Sequence, residues 1–72
     1  MSNQEFYDLL LEEAVVCAET AEYFKKEFGV RDGNYRLLQG KLIAICGVLA
    51  TMAEYFDIEA KPMPCQVNEL LF

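Results

Sequence analysis

From Tyr7 to Phe28 apolar residues return every three or four positions: Tyr7, Leu10, Ala14, Cys17, Ala21, Phe24 and Phe28. At about 100° per residue these share one face of an α-helix, with the alternation found in packed bundles. Phe6 and Leu11 widen the stripe, and no proline or glycine interrupts it before Gly29. Ser2 followed by Glu5 fits a capping box, with Met1 and Phe6 placed to staple it. Gly29 suits a left-handed cap, with Val30 folding back on the last turn. The pattern predicts a helix over about residues 3–28. Leu9, Val16 and Tyr23 recur every seven residues on its opposite side, among glutamates. They are either a second contact surface or single surface hydrophobes, which need no partner.

The stretch RDGN (Arg31–Asn34) has turn chemistry, and Asp32 or Asn34 can cap a second helix. This helix is predicted over about residues 35–58, ended by Pro62, because a residue before proline is pushed out of helical geometry. It sorts by size. Leu38, Leu42, Ile45, Leu49, Met52 and Phe56 form a bulky stripe, and Gly40, Ala44, Gly47 and Thr51 a small one roughly opposite. Glycine inside a helix costs about 0.5–1 kcal/mol relative to alanine, and close approach of another backbone is the usual reason for keeping it. Two helices of similar length joined by a short linker fold back antiparallel. The fold expected is an all-α helical hairpin over residues 1–61, with a C-terminal appendage over 62–72.

No charged, hydroxyl or amide side chain occurs between Leu42 and Ala50. If the bulky stripe meets the first helix, the small stripe is left for another element. Three covers are open: a second copy of the chain, giving a four-helix bundle; the tail, through Val67, Leu70, Leu71 and Phe72; or a different protein. The tail also fits a docking peptide for a partner groove. Composition sharpens the question. Of 72 residues 54% are hydrophobic, more than so short a chain readily hides by itself.

Net charge is −6 and the sequence pI about 4.4. That balance repels nucleic-acid phosphates and anionic membrane surfaces, so direct binding to either is not expected. The apolar run Leu42–Ala53 is shorter than the roughly 20 residues a bilayer span needs, and predicts a buried helix of a soluble protein. Cys17, Cys46 and Cys65 are widely spaced, and histidine is absent. Disulfide frameworks and thiolate–imidazole zinc sites therefore lack support, and no cofactor is expected. The N-terminus MSNQEFYD is acidic, without the basic start of a signal peptide. A cytoplasmic protein with reduced thiols is the expectation.

Chemistry has one weak candidate. Glu5 and Asp8, Glu19 and Glu22, and Glu54 and Asp57 are acidic pairs three residues apart, a spacing able to hold a divalent cation. The E-x-x-E followed by E-x-x-D resembles the magnesium motif of the all-α nucleotide pyrophosphohydrolases, which would imply a carboxylate–magnesium phosphohydrolase acting through Glu19, Glu22, Glu54 and Asp57. An antiparallel hairpin sets the last two beside Glu5 and Asp8, about 20 Å or more from the others. No activated nucleophile or phosphate loop is present, and an enzyme is not expected. Glu5, Asp8, Glu12 and Glu19 run along one side of the first helix. Such a row can imitate a phosphate backbone, and in size and charge the chain is similar to small acidic inhibitors of restriction or CRISPR machinery. The leading expectation is a non-catalytic interaction or regulatory module acting as a homo-oligomer, of a size that suits a phage or other mobile element.

Overall fold

Ser2 starts the first helix as the sequence predicts: its Oγ accepts the Glu5 N–H at 3.1 Å and its carbonyl the Phe6 N–H. Met1 is 84% exposed, so the expected staple with Phe6 shelters neither end well. A computed structural model of the chain describes residues 1–62, in which helix α1 (Asn3–Phe28) and helix α2 (Gly33–Tyr55) pack against each other as a hairpin. Cys65, Val67, Leu70, Leu71 and Phe72, with the docking and covering roles expected of the tail, lie outside the described residues.

Helix α1 carries charges that suit its dipole, with Glu5 in the first turn and Lys25 and Lys26 in the last. It ends at Gly29, whose φ of 90° with ψ of 174° is open to glycine but strained for other residues. That differs from the left-handed cap expected, and Val30 stays exposed instead of folding back. Asp32 then caps α2 by accepting the Tyr35 N–H at 3.0 Å, so the helix begins at Gly33, two residues earlier than predicted.

The end of α2 departs further from the sequence reading. The helix stops at Tyr55, and Pro62 is not what stops it. Phe56 is extended at ψ 152°, and the segment after it turns back along the start of α1. There the Glu59 N–H donates to Gln4 Oε1 at 2.6 Å and the Lys61 N–H to the Tyr7 hydroxyl at 3.0 Å. Gln4 Nε2 and the Tyr7 hydroxyl donate in return to the carbonyls of Glu59 and Lys61. Backbone groups that would have continued the helix are satisfied by α1, which favours termination before the proline is reached.

The core sits between the helices and is built small against large. Helix α1 contributes Tyr7, Ala14, Cys17, Ala18 and Ala21, and α2 contributes Leu42, Leu49 and Met52 with Tyr35 at its start. Leu10, Leu11, Phe24, Leu38, Ile45, Cys46 and Ile58 pack around them. The bulky stripe of α2 therefore faces α1, as the periodicity predicts. Two residues of the predicted apolar faces fall outside the core: Phe28, the last residue of α1, and Phe56, the extended residue that closes α2, are both exposed. Ala18 and Tyr35 join the core without having been singled out.

Leu42 and Leu49 are fully buried, and truncating either leaves a cavity between rigid helices. Leu49→Ala is expected to cost about 2–5 kcal/mol, read as a lower midpoint in chemical denaturation. Tyr7→Phe keeps the ring and loses the link to Lys61. It is expected to cost about 1 kcal/mol and to speed amide exchange at Lys61 while leaving the α1–α2 core protected.

A candidate interaction surface

Helix α2 is apolar on both sides, and the hairpin covers one of them. Its outward side presents Leu37, Gly40, Ile43, Ala44, Gly47, Val48, Ala50 and Thr51, all exposed. Leu37 is 73% exposed, Ile43 49% and Val48 46%. Thr51 adds no free polar group, because its hydroxyl donates to the Gly47 carbonyl one turn back at 2.9 Å. Of the charged side chains of α2, Arg36 and Glu54 lie near its two ends. Lys41 lies between them, on the edge facing α1, where its Nζ is 2.8 Å from Glu13 Oε1. That contact holds the Lys41 ammonium above its usual range, chiefly through the hydrogen bond it donates to Glu13. The middle of the outer face carries no charge.

The small stripe Gly40, Ala44, Gly47 and Thr51 thus lies where the sequence reading puts it, away from the intrachain core. A Cβ built on Gly40 or on Gly47 meets nothing within 4 Å. Packing against α1 gives no reason for either glycine. Beside the stripe runs an open apolar trough of about 590 Å³, lined by Phe6 of α1 and by Ala44, Gly47, Val48, Thr51, Met52 and Phe56. Phe6, Val48 and Phe56 were not foreseen as surface features, since periodicity assigned Phe6 and Phe56 to the core stripes. By length and composition α2 also passes for a membrane-crossing helix, with a mean hydropathy of 1.4 over its most apolar window, only 17% of which is buried in the hairpin. The expected buried helix is buried on one side only.

Leu9, Val16 and Tyr23 are exposed together along the back of α1. Leu9, Leu10, Glu12, Glu13 and Val16 line a smaller depression of about 440 Å³ there. Glu5, Glu12 and Glu19 are exposed on the adjoining side. Asp8 is not free within that row: Lys61 Nζ lies 2.7 Å from its Oδ1, and Gln4 donates to the same oxygen. These contacts, Lys61 first, hold the Asp8 carboxyl below its usual range, and the Asp8 hydrogen bond holds the Lys61 ammonium above its own.

The carboxylates of the magnesium resemblance do not meet. The bonds between Gln4 and Glu59 place the end of α2 beside the start of α1. Glu19 and Glu22 lie some four turns further along α1, about 20 Å away. Among the described residues no three histidine, cysteine or acidic side chains converge on a metal position. Cys17 is buried, its thiol donating to the Leu38 carbonyl at 3.3 Å, and desolvation pushes it up; Cys46 is half-buried and raised for the same reason. Both are therefore protonated, weak nucleophiles at neutral pH. No family model, curated protein or solved structure matches the chain.

The Asp8 contact has a defined pH window. The folded carboxyl titrates below the unfolded one, so its stabilisation is complete above the ordinary carboxylate range and is lost as pH falls through the folded value. Asp8→Asn is expected to lower the melting temperature slightly at neutral pH. The difference from wild type should close as pH falls below the ordinary carboxylate range, as followed by circular dichroism.

Proposed function

We propose that this chain is a non-catalytic protein–protein interaction module that works as a homo-oligomer, its hairpins pairing through the outward side of α2 into a four-helix arrangement. One observation carries the reading: α2 is bulky and apolar toward α1, while away from it the helix exposes an apolar face that bears the small stripe and has no charge near its middle. An exposed face of this kind, continuous with an apolar trough, is what monomeric proteins avoid and interfaces use. The two glycines suit close approach by another helix, and nothing within the hairpin needs them. Protonated, partly buried thiols are compatible with a reducing cytosol.

A second reading has its own support. Glu5, Glu12 and Glu19 form an exposed acidic line beside the apolar trio Leu9, Val16 and Tyr23. A line of this kind suits an inhibitor docking into the basic groove of a nucleic-acid-handling protein. The two readings use opposite sides of the hairpin, so one molecule has room for both.

Gly47 tests the first reading. In a lone hairpin a side chain there meets open space, and Gly47→Ala should raise stability by about 0.5–1 kcal/mol. In the oligomer the same position lies against the partner. Gly47→Leu is expected to reduce the mass in sedimentation equilibrium to that of one chain while helicity is retained. An unchanged oligomer in that variant would remove the α2 face from the interface. Wild-type chain that is monomeric, and that pellets with neutral phosphatidylcholine vesicles, would assign the face to lipid instead.

A further inference from the structure

We infer that two copies of α2 pair antiparallel in one fixed register, with Arg36 of each copy meeting Glu54 of the other. The inference rests on the self-association proposed above and adds its geometry. Along the outward side of α2 the residues Arg36, Gly40, Ile43, Gly47, Ala50 and Glu54 follow one another at spacings of four, three, four, three and four. All six are exposed. This is the seam of a helix pair, half of it glycine or alanine and closed by a charge at either end. The spacing reads the same in both directions, so a two-fold axis level with Ile45 superposes the seam on itself. Gly40 then lies opposite Ala50, and Ile43 opposite Gly47, a bulky side chain over a bare backbone. Arg36 and Glu54 are eighteen residues apart, which is about five full turns, so both point the same way and each reaches the other's level on the partner.

The charges give an independent reason for the antiparallel choice. An isolated helix favours anions at its N-terminus and cations at its C-terminus. Helix α1 follows that preference, whereas α2 reverses it, with no acidic residue in its first turn, no basic residue in its last, Arg36 near the start and Glu54 near the end. Neither side chain takes part in an ion pair among the described residues. Both placements become favourable when a second α2 runs the other way: Arg36 lies beside the partner's C-terminus and its Glu54, and Glu54 beside the partner's N-terminus and its Arg36. A parallel pair would set arginine against arginine. A membrane or an unrelated partner supplies no reason for opposite charges at matched ends of a palindromic seam. Thr51 and Ala44 flank the seam and bound it on the side of the trough.

Charge reversal tests the register without threatening the fold, since each single reversal improves α2's own dipole. Sedimentation equilibrium in low-salt buffer would be run on the full chain and on Arg36→Glu, Glu54→Arg and the double variant, with helicity checked by circular dichroism. Each single variant sets like charges together at both ends of the dimer and is expected to weaken it on the order of tenfold. The double variant restores opposite charges and should return to near wild-type affinity. Mixing the two single variants should yield heterodimers in preference to either homodimer. If the wild type dimerises but single reversals leave its affinity unchanged, or the double variant is as weak as the singles, this register is wrong while self-association stands. If the wild type is monomeric at micromolar concentration, whether the tail or nothing covers the face, self-association fails and the register with it.

Discussion

A helix packed on one neighbour loses about half its circumference from water and keeps the rest exposed. For α1 that limit is harmless: alanines and a cysteine face the partner, and glutamates with a few scattered hydrophobes face out. For α2 it governs the whole structure. The side holding Leu42, Leu49 and Met52 is consumed by the small residues of α1, and the remaining side has no polar residue near its middle to offer solvent. Apolar area left in water carries about 25 cal/mol per Å², so a face spanning several turns is a standing drive toward a further contact.

The hairpin is closed at one end by a polar latch that also decides which flank stays open. Gln4, Tyr7 and Asp8 of α1 hold the returning segment through Glu59 and Lys61. Phe6 projects on the other flank of α1 and forms a wall of the trough over α2. One edge of the helix pair is thereby tied down by backbone hydrogen bonds and an ion pair, and the other carries the Lys41–Glu13 pair with the apolar trough beyond it. The surface available to a partner is correspondingly one-sided and continuous from the trough to the glycine-bearing seam.

The distribution of charge follows the same division. Seven of the twelve acidic residues lie on α1, which supplies most of the net charge of −6, while α2 has only Arg36, Lys41 and Glu54 as charged residues. Lys41 is committed to Glu13, so what remains on α2 is one charge of each sign at matched ends of an apolar run. In the proposed pair, electrostatics of this kind would select orientation and register more than add affinity, with the attraction supplied by the apolar face between them. The acidic side of α1 faces away from α2, so the proposed pairing would leave it outward.

Helix identity, the hairpin, the Ser2 cap and the sorting of α2 into bulky and small sides were legible in the sequence, because each is a property of neighbours three or four residues apart. Phe28 and Phe56 carried the same periodicity as the core and are nonetheless exposed, since each stands where its own helix ends and periodicity does not record that point. Pro62 looked like the stop of α2; the true stop lies at Tyr55, where Gln4 and Tyr7, more than fifty residues earlier in the chain, capture the backbone. No local rule contains that contact. The chain by itself therefore determined which side of α2 is bulky, which is small and where its charges stand. Only the packed hairpin decided which of those sides α1 would use up, because burial belongs to pairs of surfaces and not to a pattern along one strand of sequence.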